Sequence, residues 1–313
     1  MSFHILPVGR LGNIMFSFYV FTILQDKYPN HKIYIYDDYI KHYYKKYYDK
    51  ILETFPVIKD FIIKSDDDDV ESFRQIRSEL KKKCNIIQDT LLNIENFKIT
   101  DNVFFNGVFC NSNNYLKHRK LLQEKLFFNL NDTFDGITVH LRSGDCWGDY
   151  TNKLHAGPKL LNKNIKYGGG TNYAWQPIPM ISFYRKILDN KKKIRFVVEQ
   201  KDDPILLKLL EIYKDKEIIV QSEDFITDFL TLMNSKEIVL SISTFSWNAA
   251  FLGNAVNIYM PGGGFFNKNC PRRGSSLCFD LKIPGVIYYT LNNPIYLDKW
   301  RGSLSDLNYI LNN

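Results

Sequence analysis

The stretch Gly136-Ile-Thr-Val-His-Leu-Arg142 is an apolar run that opens on a glycine and ends on an arginine, and it predicts a buried β-strand. Similar runs follow along the chain, at residues 194–199, 217–221, 237–243 and 255–260. Segments with helical spacing separate them, at residues 181–188, 204–213, 227–234 and 245–252. Short apolar strands that alternate with helices are typical of a parallel sheet covered on both faces. The second half of the chain is therefore predicted to be a doubly wound α/β domain.

The first half of the chain shows a related pattern. An apolar run at residues 3–8 ends at Gly9, and a long apolar and aromatic stretch follows at 14–25. This order predicts a strand, a glycine turn and a buried helix. Further strands are predicted at residues 31–36 and 101–107, with a helical insertion rich in Tyr, Lys and Ile between them. These elements indicate a second α/β unit.

The length of the chain leaves room for two domains. Its 313 residues, 45% of them hydrophobic, are enough for one large domain or for two of ordinary size. The polar segment at residues 129–135 (NLNDTFD) separates the two halves and is typical of a domain boundary. We therefore expect an N-terminal α/β domain at residues 1–132 and a C-terminal domain at residues 133–313.

Composition limits the class of ligand and the compartment. The formal net charge of +7 is spread between acidic residues, which suits an anionic small ligand better than nucleic acid. Five cysteines without CxxC spacing indicate neither a disulfide framework nor a zinc site, and the acidic run at residues 66–69 is expected to be solvated surface. No apolar run approaches the roughly 20 residues that span a bilayer, and the first residues lack a signal-peptide pattern. We expect a cytoplasmic protein with no membrane span and no nucleic-acid partner.

Glycines and polar side chains follow the first predicted strand. In an open α/β sheet, ligands bind beyond the carboxyl ends of the strands. Gly9 and Gly12 permit a tight turn and a close approach of backbone to ligand, while Arg10 and Asn13 offer donors where a helix begins. An ordinary strand-to-helix turn with Asn13 as the cap explains the same residues, because neither GxGxxG nor GxxxxGK[ST] is present.

A second polar set follows the strand that ends at residue 141. Side chains alternate across a strand, so His140 and Arg142 share one side. The planar donor fork of Arg142 suits a diphosphate, and a salt bridge from Arg142 to Asp145 is the alternative. For His140 the pattern favours a core position with hydrogen-bonded ring nitrogens.

The third set lies where the run at 237–243 turns into a helix. It consists of Ser243, Thr244, Phe245, Ser246 and Trp247. Hydroxyls and unsatisfied amides at a helix N-terminus form an anion site, which the helix dipole strengthens. A plain Ser/Thr cap, with the two aromatic side chains in the core, fits the pattern equally well.

Together and in this order, the three sets resemble the α-1,2-fucosyltransferase family and its relatives that add fucose to other acceptors. The segment GRLGNIMF at residues 9–16 is similar to the family's GxLGNQMF motif, with Ile14 in place of glutamine. The segment HLRSGD at 140–145 resembles H-x-R-R-x-D, and SISTFSWN at 241–248 resembles SxSSFSWW. A weaker likeness joins NGVFCNS at 106–112 to the family's GYFQS segment. The resemblance runs from about residue 3 to residue 267.

The resemblance implies a GT-B fold, in which two Rossmann-like domains face each other across a cleft. It implies an inverting transfer of L-fucose from GDP-fucose to a hydroxyl of a glycan, with no metal and no other cofactor, the acceptor being on the side of the N-terminal domain. The catalytic candidates are Arg142 on the donor diphosphate, Asp145, and Arg10 and Asn13 beside the fucosyl group. The nucleotide-binding candidates are Gly9, Gly12, His140, Ser143, Ser243, Thr244, Phe245, Ser246 and Trp247.

One position departs from the family pattern. Family members usually carry a second arginine where this chain has Ser143, and this removes a positive charge from the phosphate site. Another nucleotide sugar therefore stays open as the donor, and Arg272 or Arg273 could supply the missing charge. A sugar- or nucleotide-binding protein without catalytic activity is the alternative from another class.

Two further assignments complete the prediction. A general base must take the proton of the acceptor hydroxyl, and Asp145 is the carboxylate of the motif, with Asp149 and Glu199 as alternatives.

The loop at residues 146–176 contains glycines and several aromatic residues. Aromatic rings stack on sugar faces, so the loop is assigned to acceptor binding, the alternative being a loop packed by its own aromatic side chains.

Overall fold

The computed structural model describes residues 2–37, 40–41, 44–63, 70–88, 101–130, 132–142, 177–267, 278–291, 293, 296 and 304–313. The chain forms two compact units. The first comprises Met1–Asn129 and Ser275–Leu281, and the second comprises Leu130–Gly274 and Lys282–Asn313. The chain leaves the first unit at Asn129, inside the polar segment at residues 129–135, while the short return at Ser275–Leu281 has no counterpart in the sequence prediction.

The first unit is built on a parallel sheet. Its described strands are β1 (Ser2–Ile5), β2 (Lys32–Tyr36), β3 (Ile62–Ile63), β4 (Asn85–Gln88) and β5 (Val103–Asn106). They lie in the order β3-β2-β1-β5-β4. The helices of this unit are α1 (Leu11–Lys27), α2 (Tyr48–Thr54), α3 (Val70–Lys83) and α4 (Arg119–Leu126). The 3₁₀ turns are Lys45–Tyr47, Pro56–Phe61, Ser112–Asn114 and Leu116–His118.

Helix α1 forms the centre of the core of the first unit. Every residue from Ile14 to Leu24 is buried, and a helix that is apolar on all sides must lie inside the fold. The predicted helix began at residue 14, but α1 begins at Leu11, because the carbonyl of Arg10 accepts from the amides of Asn13 at 2.8 Å and Ile14 at 3.0 Å. The strand predicted at residues 3–8 is confirmed as β1, although its ladder ends at Ile5, the last residue paired with β2 and β5.

A segment from late in the chain completes the first unit. The amide of Ser112 donates to the carbonyl of Cys278 at 2.7 Å, and the amide of Cys278 donates to the carbonyl of Cys110 at 3.0 Å. Phe279 packs against Phe16 of α1, with 6.4 Å between the ring centroids. Backbone bonds and an aromatic contact therefore hold this segment on the first unit.

The second unit is a doubly wound α/β fold. Its described strands are β6 (Ile137–Leu141), β7 (Lys193–Val198), β8 (Glu217–Gln221), β9 (Glu237–Val239), β10 (Asn257–Gly262) and β11 (Val286–Thr290). All pair in parallel, in the order β11-β10-β9-β6-β7-β8. Counted from β6, this is the Rossmann-type order 3-2-1-4-5-6, and the direction of strand addition reverses between β6 and β9.

The helices of the second unit are α5 (Ile181–Leu188), α6 (Pro204–Ile212), α7 (Phe225–Asn234), α8 (Thr244–Leu252) and α9 (Leu304–Asn312). Asp203 and Asp224 start α6 and α7, since each carboxylate accepts from the amides two and three residues later. Gly264–Phe266 forms a 3₁₀ turn. The predicted alternation of strands and helices is confirmed, whereas β11 and α9 follow residue 267 and were not predicted. Within the described part of the chain, no helix combines the length and the apolar character needed to cross a bilayer.

A buried ion pair links the start of the second unit to strand β7 of its sheet. Both terminal nitrogens of Arg195 on β7 donate to the Asp132 carboxylate, at 2.6 and 2.8 Å, and the guanidinium lies 4.2 Å from the centroid of the Phe134 ring. The Arg195 side chain is only 8% exposed. Burial would raise the pKa of the Asp132 carboxyl, but the hydrogen bonds and the charge of Arg195 hold it below its ordinary value. The segment that leaves the first unit is thereby anchored on the second.

We predict that Asp132→Asn lowers the midpoint of thermal unfolding at pH 7 by about 6 °C, equivalent to roughly 2 kcal/mol, because Arg195 loses its counter-charge. Because the pKa of the Asp132 carboxyl is lowered on folding, its ionised form stabilises the folded protein fully when the pH is above the ordinary pKa of 3.8. This stabilisation decreases as the pH falls below that value. The difference in unfolding midpoint between the wild type and Asp132→Asn should therefore become smaller below about pH 4. The control is Asp135→Asn, which removes an exposed carboxylate paired with Lys193. Equal midpoints for wild type and Asp132→Asn at pH 7 would contradict the prediction.

Candidate functional site

The point of reversal in the second sheet brings two of the predicted sets together. Arg142 follows β6, and residues 240–243 lead from β9 into α8. The Nη1 atom of Arg142 donates to the Ser243 hydroxyl at 3.4 Å, although the two residues are 101 positions apart in the sequence. In a doubly wound sheet this crevice is where nucleotides bind.

Ser243 has two roles in this contact. It is the N-cap of α8, and its hydroxyl accepts from the amide of Phe245 at 3.2 Å while it also accepts from Arg142. The first turn of α8 contains no acidic residue, so its positive dipole end is not neutralised from within the turn. A guanidinium and the N-terminus of a helix therefore lie side by side, and both favour an anion.

His140 lies buried beside this pair. Its Nδ1 atom is 2.7 Å from the Ser241 hydroxyl, and its ring packs on Phe245 with 5.3 Å between centroids. Burial, and secondarily the positive charge of Arg142, lowers the pKa of His140 to about 3. The ring is consequently neutral at physiological pH, as the predicted core position requires.

The rest of the third set divides between the core and the crevice. Trp247 is fully buried and stacks on Phe251, with 5.0 Å between ring centroids and 10° between ring planes. Ser246 is also fully buried, and its hydroxyl donates to the carbonyl of Ser241 at 3.2 Å. Thr244 and Phe245 are partly exposed. The side chains of Trp247 and Ser246 thus stabilise the start of α8, while Thr244 and Phe245 are partly exposed at its N-terminus.

The first predicted set, which consists of Gly9, Arg10, Gly12 and Asn13, lies at the point of reversal of the sheet in the first unit. This sheet reverses direction between β1 and β5, and Gly9 and Arg10 follow β1. Gly9 has φ +87°, and a Cβ there would lie 2.6 Å from the Nδ2 atom of Asn13, so a side chain would disturb the turn. Arg10 is exposed at the N-cap of α1, and Gly12 is buried in its first turn. The carboxyl end of β1 therefore carries all four predicted residues of this set.

Three residues near these sets were not assigned from the sequence. Ser241 was quoted in a motif without a role, although alternation along the strand places it on the same side as Ser243. The Tyr44 hydroxyl accepts from the amide of Leu11 at 3.0 Å and so satisfies an N-terminal amide of α1. Asp37, fully buried after β2, accepts from the Tyr48 hydroxyl and lies 3.4 Å from Lys41 Nζ. Tyr44 carries no local sequence signal, because its partner lies 33 residues earlier. Asp37 has a local partner in Lys41, four residues later, but this spacing does not by itself indicate a buried carboxylate.

Several predicted residues lie outside the described part of the chain: Ser143, Asp145, Asp149, Arg272, Arg273, the loop at 146–176 and the acidic run at 66–69. Of the three carboxylates considered as general base, Glu199 is the one that the structure describes, exposed directly after β7. Among the described residues, no group of three or more His, Cys, Asp or Glu side chains is arranged to hold a metal ion.

We predict that His140 does not titrate between pH 8 and pH 5, because its pKa is about 3. The ring proton resonances of His140, assigned by their loss in His140→Gln, should keep a constant chemical shift over this range. A short unstructured peptide with one histidine, added to the buffer, serves as the reference and titrates near the ordinary side-chain pKa of about 6.5. A midpoint near 6.5 for His140 would show that the ring is accessible to water and is not held in the buried site.

Comparisons with known proteins were made for the whole sequence. No model of a known protein family matches the chain. No curated protein is significantly similar to it. A function for this chain must therefore be inferred from its sequence motifs and from the contacts at the ends of β1, β6 and β9.

Proposed function

We propose that this chain is an inverting glycosyltransferase that moves L-fucose from GDP-fucose to a hydroxyl of a glycan. The observation that supports the proposal most is the contact of Arg142 with Ser243 at the point of reversal of a 3-2-1-4-5-6 sheet. A guanidinium beside a helix N-terminus suits a diphosphate, and this edge of the sheet is the usual nucleotide site. The resemblance of the three motifs to fucosyltransferases supports the choice of GDP and fucose.

The chemistry of the transfer gives these residues a role. As the acceptor oxygen attacks the anomeric carbon, the bond from that carbon to the β-phosphate oxygen breaks on the opposite face, and the configuration inverts. Negative charge grows on the β-phosphate as GDP leaves. Arg142 and the amide end of α8 are already in place to stabilise that charge, and such preorganised donors lower the barrier without reorganising during the reaction.

The acceptor oxygen must also lose a proton to a general base. Asp145 is the base that the motif proposes, with Asp149 and Glu199 as alternatives. Glu199 follows β7, the strand paired with β6, so it lies at the same edge of the sheet as Arg142. In doubly wound folds an acidic residue after the second strand commonly binds the ribose hydroxyls of a nucleotide. This position favours donor binding as the role of Glu199 and leaves Asp145 as the first candidate for the base.

In the proposed GT-B fold, each of the two units would form one domain. Both contain parallel sheets, and in each a predicted motif lies at the strand where the sheet reverses direction. The second unit would bind the donor. The first would bind the acceptor.

A second candidate function is the same reaction with another nucleotide sugar. Ser143 favours it, because the family's second arginine is missing from the phosphate motif. A nucleotide-binding protein without catalytic activity is a third reading, and it differs from both enzymes in leaving the donor intact.

We predict that Arg142→Ala lowers the rate of GDP release from GDP-fucose by about a hundredfold or more, because a donor to the leaving phosphate is lost. The rate is measured as GDP formed with and without an added glycan, and folding is checked by the thermal midpoint. Arg185→Ala is the matched control, since it removes an exposed arginine on α5 and should leave the rate unchanged. A normal rate in Arg142→Ala would contradict the assignment, and no GDP release by the wild type would indicate a binding protein.

We also predict that GDP raises the midpoint of thermal unfolding more than UDP or dTDP at equal concentration. A ligand that binds only the folded protein stabilises it in proportion to the logarithm of its concentration over Kd, which gives about 2.7 kcal/mol at a hundredfold excess over Kd. The shift from GDP should largely disappear in Arg142→Ala. A larger shift from UDP or dTDP would favour the second candidate function.

A further inference from the structure

The strands β6 and β9 separate at the candidate site. Their backbone ladder ends at the pair Val139 and Val239. Beyond it the chain after β9 remains bonded to β10, since the amide of Leu240 donates to the carbonyl of Tyr259 at 2.9 Å. The end of β6, which carries Arg142, therefore has no strand ladder on the side of β9.

Two side-chain contacts continue the connection where the ladder stops. The Ser241 hydroxyl meets Nδ1 of His140 at 2.7 Å, and the Ser243 hydroxyl meets Arg142 at 3.4 Å. In each contact a serine of the segment after β9 holds a residue at the end of β6, and the two contacts are two residues apart on both segments. The shorter is entirely buried, with Ser241 2% and His140 8% exposed.

The proton of the Ser241 hydroxyl can be assigned from its neighbours. Its near acceptor is Nδ1 of His140 at 2.7 Å, whereas the Ser246 hydroxyl is 3.4 Å away, too far for a good O–H···O bond. The Ser246 hydroxyl donates its own proton to the carbonyl of Ser241. Ser241 therefore donates to Nδ1, and the neutral ring carries its proton on Nε2.

We propose that Ser241 is a positioning residue of this site: its hydroxyl holds His140 in the Nε2–H tautomer and so fixes the end of β6 from which Arg142 extends. The proposal rests on the proposed function, because it takes the nucleotide diphosphate as the ligand that Arg142 binds. The role of Ser241 is indirect, since its hydroxyl acts on His140.

Two measurements on the full chain test the proposal. The first is the tautomer of His140, read from long-range ¹H–¹⁵N correlation spectra of protein labelled with ¹⁵N-histidine, without nucleotide. The second is the affinity for GDP by isothermal titration calorimetry, for wild type, Ser241→Ala and Ser235→Ala. Ser235 is the matched control, a buried serine whose hydroxyl donates to the carbonyl of Thr231 at 2.7 Å within α7 and its C-cap.

We expect an unprotonated Nδ1 and a protonated Nε2 in the wild type. In Ser241→Ala the Nδ1 resonance should move downfield as its hydrogen bond is lost. The affinity for GDP should fall about tenfold, because the end of β6 from which Arg142 extends is no longer held by this hydrogen bond. Ser235→Ala should keep both the resonance and the affinity of the wild type.

Several results would overturn the proposal. A His140 ring protonated on Nδ1 in the wild type would overturn it. This measurement does not depend on whether Ser241→Ala folds. An unchanged Nδ1 resonance in Ser241→Ala, or an equal loss of affinity in Ser235→Ala, would also do so. If the wild type shows the expected tautomer but binds no GDP, the function proposed for the site fails, and with it the positioning role of Ser241.

Discussion

The second unit depends on one geometric constraint: a parallel sheet that grows in both directions from β6 must open where the strands on either side lead to helices on opposite faces. Backbone pairing between β6 and β9 stops at Val139 and Val239, and polar groups beyond that point lose their ladder partners. Serines and an imidazole fill the opening. Contacts between side chains thus connect the two segments where their backbone ladder has ended.

Among the described residues, the charge of this opening comes from Arg142 and from the N-terminus of α8. Burial and the neighbouring Arg142 lower the pKa of His140 to about 3, so the imidazole adds no positive charge beside the guanidinium. The first turns of both α1 and α8 contain no acidic residue. An anion that enters therefore meets a fixed guanidinium and a helix dipole, and no carboxylate in the first turn of α8 opposes it.

Much of this arrangement can be predicted from the chain because it is local. The apolar runs and their spacing identify the strands, and the residue after each strand marks the edge where ligands bind. The strand order is not local, so the contact of Arg142 with Ser243 could be expected only from the motifs and not from the spacing. The contact of the Tyr44 hydroxyl with the amide of Leu11, and that of the Tyr48 hydroxyl with Asp37, could not be predicted, since the fold brings these partners together.

The return of residues 278–281 to the first unit has a consequence for dissecting the protein. This segment lies between β10 and β11 in the sequence, so the chain passes between the units more than once. A fragment that stops at Asn129 would lack Cys278, and with it the backbone partners of Cys110 and Ser112. Cutting the protein at its polar linker would leave unmatched amides and carbonyls in the first piece. Each unit is compact in space but is formed from two separate segments of the sequence. A fragment that contains one whole unit must therefore join its two segments, because simple truncation of the chain removes one of them.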